Sequence, residues 1–279
     1  MADTAFMTQY RSEFIAGFEQ RTSDLRLACT TDVVIKGNTA TFPIADSAGA
    51  VPVTRGTNGK IPSRSESIVQ VSATLVEKHD LVERTGFNLF ASQGDGRRMM
   101  QENSMGVVNR GIDLDILGEL ANATNNLGAA TTMNLAVVTR ALNKLALNQV
   151  PVNEVDNMFA VMPPAVNGYL LQIKEFNSKD WVEIKPLDGG PIRKMLRWAG
   201  FNWIFSPLVT GIGTAAELGY FYHKAAIGHA VNKGEIMAQA DYDTKQDSSW
   251  ARTSIYMGSK ILQNKGIVKF THDGSLAYT

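Results

Sequence analysis

Residues 49–65 read GAVPVTRGTNGKIPSRS, with three basic side chains (Arg55, Lys60 and Arg64), no acid, and glycines and prolines throughout. The stretch is too polar and too interrupted to make a core, and Asn58-Gly59 inside it is a turn signal. A strand-like segment flanks it on each side. Upstream, Ala40, Phe42 and Ile44 alternate with Thr39, Thr41 and Pro43. Downstream, Val69, Val71, Ala73 and Leu75 alternate with Ile68, Gln70, Ser72 and Thr74. That period of two belongs to a half-buried strand. Residues 39–76 therefore predict a long two-stranded arm with a basic tip. Two strands alone hold together poorly in water, so the arm needs a partner. The chain reads first as an assembly protein.

Whole-chain properties are those of a globular chain. With 279 residues there is room for one large domain or two lobes with a sizeable buried interior. The formal net charge of zero argues against a general nucleic-acid binder. Cys29 is the only cysteine, which excludes an intramolecular disulfide and fits a reducing cytoplasm. The N-terminal residues MADTAFMTQYRSEF carry an acid at Asp3 and no continuous apolar core, so no secretion signal is expected there. No run of about 18 apolar residues is present to span a membrane. Asn122-Ala-Thr124 matches a glycosylation sequon and is taken as a chance occurrence.

Working outward from the arm, residues 5–20 predict a helix and residues 32–35 a short β piece. Residues 77–85 (EKHDLVERT) return the chain to the body. Residues 92–122 predict the longest helix, with Met105, Val108, Ile112, Ile116, Leu117 and Leu120 in one apolar stripe. Gly106, Gly111 and Gly118 each cost about 1 kcal/mol against alanine in a helix interior, which suggests a close backbone neighbour or a bend. A second helix is expected over 134–147, a strand over 157–162, and a helix over 165–176 beyond Pro163-Pro164. Residues 192–198 and 224–231 read as helical, and 200–209, 217–223, 253–261 and 266–271 as strands. Strands and helices mix without a regular alternation, so the fold class is α+β.

Motifs for chemistry are weak. Residues 55–60 (RGTNGK) superficially resemble a phosphate-binding loop, but the spacing is wrong and Ile61 stands where a Ser or Thr belongs. His223 and His229 are six apart, unlike the paired histidines of a zinc helix, and His79 and His272 read as satisfied or surface side chains. Cys29 reads as a buried structural thiol. Asp113 and Asp115, two apart on the long helix, point to different sides and read as solvated charges or ion-pair partners. Asp241, Asp243 and Asp247 lack calcium-loop spacing and read as a solvated or partner-facing loop. Trp181, Trp198, Trp203 and Trp250 read as core or interface anchors. No catalytic, cofactor-binding or metal-binding residue is assigned, and none of the chemistry expected of an enzyme is found.

The order of parts carries more information than any one motif. Residues 49–85 as an extended loop with its return strand, 92–122 (SQGDGRRMMQENSMGVVNRGIDLDILGELAN) as a spine helix, FAVMPPAVNGYLLQIKEF, LGYFYHKAAIGHAVNKGE and the closing ARTSIYMGSKILQNKGIVKF follow one another in a definite sequence. This resembles the major capsid proteins of tailed bacteriophages, with the Hong Kong 97-type capsid fold. The resemblance implies an N-terminal arm (1–38), an extended β-hairpin loop (39–80), a peripheral domain with the spine helix (81–130), an axial domain (131–250) and closing strands (251–279). It implies self-assembly into pentamers and hexamers of an icosahedral shell around double-stranded DNA, which is held only non-specifically. Arg55, Asn58, Lys60 and Arg64 of the loop would make the inter-subunit contacts. Further partners implied are a separate scaffolding protein, a portal and a decoration protein, with no membrane; location would be the virion, after assembly in the host cytoplasm. Lys60 stands where some relatives form a covalent cross-link, though no acidic helper can be assigned. Two other readings stay open: an encapsulin-like bacterial compartment shell, and an α+β enzyme with an unrecognised site.

Overall fold

The computed structural model describes residues 22–34, 36–47, 50–64, 66–86, 96–177, 196–234 and 236–275. The helix expected over 5–20, Trp181 and most of the run 192–198 fall outside these residues.

The long helix α1 spans Gly96–Ala121. Met100, Ser104, Val108, Ile112, Ile116, Leu117 and Leu120 are buried along one side of it, at the three- and four-residue spacing of a helix face. Met105, placed in that stripe by sequence, is instead 39% exposed, and Ser104 takes the inner position. The expected close backbone neighbour is absent at two of the three helix glycines. A Cβ at Gly111 would make ordinary contact with the Met257 methyl, and one at Gly118 would meet nothing.

Helix α1 lies across a five-stranded sheet in the order β1-β9-β11-β10, with β4 pairing β11 from Ser248 to Met257. The strands are β1 (Thr30–Val34), β4 (Val76–Thr85), β9 (Ile227–Asn232), β10 (Met237–Asp243) and β11 (Ser248–Ile261). Every second residue of β11 from Ala251 to Ser259 is buried towards the helix. The run 224–231, read as a helix, is a single 3-10 turn at Lys224–Ala226 followed by β9. Its alanines favour a helix locally, but pairing on both sides, to β1 and to β11, decides the conformation.

The second sheet runs β12-β8-β5-β7-β6, from β5 (Met158–Met162), β6 (Leu196–Trp198), β7 (Phe201–Phe205), β8 (Glu217–His223) and β12 (Ile267–His272). Residues 196–198 are thus a strand where a helix was expected, and the strand expected over 200–209 stops at Phe205. Strand β5 is buried on both faces, as continuous apolar runs in covered sheets are. Phe159 and Val161 join Tyr220 and Tyr222 in the core shared with α1. Met158, Ala160 and Met162 face α2 (Leu135–Leu147) and α3 (Pro164–Gln172) in a second core around Trp203, Phe201 and Phe221. Asn134 caps α2 by accepting from the Val137 N–H at 2.9 Å. The helix expected over 165–176 breaks at Ile173, and the short α4 (Lys174–Asn177) follows.

Asp113, expected as a solvated charge or an ion-pair partner, is 1% exposed. Its carboxylate accepts from the Ser23 hydroxyl and from the backbone N–H groups of Asp24 (3.2 Å) and Leu25 (3.1 Å). The helix thereby fastens the segment that leads into β1. Asp115 does point to another side, where it accepts from Ser259 Oγ at 2.6 Å, and Ser259 Oγ lies 2.9 Å from His229 Nδ1.

Candidate assembly interface

Strands β2 (Thr39–Asp46) and β3 (Ser67–Thr74) pair antiparallel from Thr39↔Thr74 to Asp46↔Ser67, which is the hairpin that the alternation predicted. Directly paired residues share a face. On the inner face Ala40 and Ala73 are buried, Phe42 is 8% exposed, and together they pack on Ala230 of β9. Two glycines make room for this root. A Cβ at Gly228 would come within 3.0 Å of the Phe42 ring, and one at Gly258 within 2.1 Å of the Thr74 carbonyl. Further along the same face, Asp46 pairs with Lys265 of the body at 2.8 Å. The paired part of the arm is therefore fastened to its own subunit, and residues 50–64 extend beyond it.

The tip organises itself with its own donors. Gly56 N–H donates to Lys60 O (3.0 Å) and Gly59 N–H to Gly56 O (2.9 Å), with Gly59 in the left-handed region at φ +69°. Arg55 Nη1 donates to the Gly59 carbonyl at 3.0 Å, and Arg64 Nη1 to the Ser47 carbonyl at 3.1 Å, spanning the neck of the loop. Of the four residues singled out in sequence, Arg55 and Arg64 thus brace the loop, Asn58 sits in its turn, and Lys60 is exposed. Sequence reasoning passed over the apolar members. Val51, Val53, Ile61, Ile68 and Val69 are all more than half exposed, and Ile68 and Val69 lie on opposite faces of β3. Their signal was present in the aliphatics set between Gly49, Pro52 and Pro62.

The groups that suggested chemistry are placed in structural roles. Cys29 is buried, donates to Leu25 O, and has its thiol pushed well above the usual range by burial. His229 is fully buried, and burial lowers its pKa to about 4. Its Nε2 has no hydrogen-bond partner among the described residues, and the same holds for both ring nitrogens of buried His272, whose pKa burial also lowers. Asp241 and Asp243 accept from nearby backbone N–H groups of their own turn, and Asp247 accepts from the Tyr242 hydroxyl. No group of three metal-ligating side chains occurs among the described residues. A depression of about 530 Å³ beside α2 is lined in part by Arg140 and Lys144, which donate to the carbonyls of Leu127 and Asn126.

A helix laid over one sheet, a second sheet buried between two cores, and a long arm reaching off the body make up the architecture. The chain belongs to the phage capsid protein family, whose model matches residues 2–274. Solved structures agree on the fold. The chain is similar to one from Mycobacterium phage Che8 (16% identity, TM-score 0.72, 96% of this chain and 98% of that one). It is similar to the capsid structure of the cyanophage P-SCSP1u (13%, 0.73, 97% and 94%) and to the capsid of a native GTA particle (14%, 0.70, 96% and 95%). No curated protein matches it in sequence. The fold is the Hong Kong 97-type capsid fold, and the protein is a capsid protein of a phage shell.

Proposed function

We propose that copies of this chain build an icosahedral head as pentamers and hexamers, with the arm of each copy reaching over a neighbour through its tip, including Arg55, Asn58, Lys60 and Arg64. The observation that carries this reading is the arm itself: its root is fastened by Phe42 and Asp46, while aliphatic side chains beyond the root remain exposed on both faces. Such a contact is heterologous, one surface being offered and a different one received, and it propagates around rings. A single contact of about 4 kcal/mol corresponds to only millimolar affinity. Several per subunit, closed into a shell, reinforce one another through effective concentration.

The same proposal makes the chain structural rather than catalytic and locates it in the virion around non-specifically held DNA, with a scaffolding protein, a portal and a decoration protein as partners. It divides the chain into an N-terminal arm (1–38), extended loop (39–80), helix-bearing part (81–130), axial part (131–250) and closing strands (251–279). Strands β9 and β10 lie in the α1 sheet although they fall within 131–250. The family match favours a phage head over a cellular compartment of the same fold. Expression with its gene neighbours followed by sedimentation and negative-stain microscopy tests the reading. Particles of megadalton scale are expected, and a small soluble oligomer under all conditions would refute it.

A further inference from the structure

Asn-Gly occurs twice in this chain, at Asn58-Gly59 and at Asn167-Gly168, and the fold treats the two pairs in opposite ways. The pair is chemically special because glycine has no side chain to shield its nitrogen. That nitrogen can reach back to the side-chain carbonyl carbon of the asparagine before it. Three conditions decide whether it does: a backbone free to leave helical torsions, an uncrowded nitrogen, and water at hand.

Asn167 lies in α3, whose torsions hold the following nitrogen away from the side chain, and Gly168 belongs to the same helix. The Asn167 Oδ1 is buried, away from water. Asn58 is in the contrary position. Residues 50–64 lie outside helix and strand and are exposed throughout. A Cβ placed on Gly59 would meet nothing within 4 Å, so no neighbour crowds the attacking nitrogen. Its N–H is held by one bond to Gly56 O at 2.9 Å, and such bonds in exposed loops open readily.

We propose that Asn58 is a self-modifying site, where the tip converts its own asparagine to aspartate and isoaspartate. The Gly59 amide nitrogen loses its proton to hydroxide and attacks Asn58 Cγ. The N–Cγ bond forms, the Cγ–Nδ2 bond breaks, and the leaving nitrogen takes a proton from water and departs as ammonia. Water then opens the five-membered imide. Opening at Cγ gives aspartate, and opening at the main-chain carbonyl gives isoaspartate. One water is consumed and one ammonia released, with no oxidant or reductant involved.

Either product places a carboxylate between Arg55 and Lys60, in a stretch that otherwise has no acid. Isoaspartate also routes the main chain through Cβ. The added methylene falls inside the turn that Gly56 N–H to Lys60 O (3.0 Å) and Arg55 Nη1 to Gly59 O (3.0 Å) close. The modification thus reshapes the tip and changes its charge without touching the body. Its consequence rests on the assembly reading above: free subunits lose competence as they age.

The full chain, held in mildly alkaline buffer at physiological temperature and sampled over days, tests the site by peptide mass mapping. Ammonia release and enzymatic methylation of isoaspartate are the second readouts. Asn58 should convert at least about ten-fold faster than Asn167, whose helix must open first. The rate should rise with pH, because hydroxide takes part. Particle yield from aged chains should fall in proportion to the fraction converted, with thermal melting unchanged. Asn58→Gln chains, whose longer side chain closes the ring poorly, should keep on ageing whatever yield they show when fresh. An intact Asn58, equal conversion at Asn167, or a rate indifferent to pH would overturn the site. Undiminished yield from fully converted chains would overturn its consequence for assembly. Failure of fresh, unconverted chains to form particles would overturn the assembly reading instead and leave the mass readings standing.

Discussion

Strands β5 and β3 use similar side chains and treat them in opposite ways. In β5, the residues Met-Phe-Ala-Val-Met are buried on both faces, between α2 and α3 on one side and the α1 core on the other. In β3, Ala73 at the root is buried, but Ile68 and Val69 near the tip are exposed on opposite faces. Burying an aliphatic side chain contributes about 1.5–3 kcal/mol, so β5 is where the subunit gains its own stability. The distal arm contributes little to the isolated chain. Its aliphatics gain from burial only against something else, and that separates a folding region from an assembling one.

The largest expected loss is in the body. Trp203, fully buried among Trp198, Phe201 and Phe221, should cost about 3–5 kcal/mol when replaced by Ala, read from denaturant unfolding, and particles should be lost with the fold. A Trp203→Ala chain that kept its unfolding midpoint would remove the distinction.

Acid should act next, and again on the body. Burial lowers the folded pKa of His229 to about 4, below the ordinary 6.5, so the unfolded chain binds that proton more readily. Its contribution is fully present above about pH 6.5 and is lost as pH falls towards 4, by up to about 3 kcal/mol at roughly 1.4 kcal/mol per unit. His272, lowered in the same direction, adds to the slope. Unfolding titrations from pH 7 to 4 should show stability falling, with a shallower fall in His229→Gln; a flat profile would contradict the assignment.

Asp113→Ala should cost about 2 kcal/mol by leaving buried donors of residues 23–25 unpaired, and should loosen the segment leading to β1 before the sheets. Hydrogen exchange at residues 23–34 reads that order. The smallest effect on stability belongs to the arm. Val51→Ser, Val53→Ser and Ile61→Ser together should change unfolding by no more than about 0.5 kcal/mol and still abolish particles.

The arm was legible because both of its strands are half-buried at the root, and half-burial writes a period of two into the residues. Helix α1 was legible for the same reason at a period near 3.6. What escaped was set by distant partners. The run 224–231 has helix-forming alanines, yet β1 and β11 claim its backbone from some 200 residues before and 30 after it in sequence. Asp113 and Asp115 were correctly placed on different sides of α1, but nothing local shows that both sides are covered. The basic residues of the tip stood out by charge. Their spending on the Ser47 and Gly59 carbonyls, and the exposure of the valines beside them, exist only in three dimensions.

The central claim is that the tip serves assembly and not the fold of its own subunit. Its most direct test replaces Arg55, Lys60 and Arg64 together with Glu and follows two readouts on one preparation, thermal melting and sedimentation. The account predicts a melting temperature within a few degrees of the parent and the loss of particles of megadalton scale. A variant that fails to fold, or that assembles as the parent does, would contradict it.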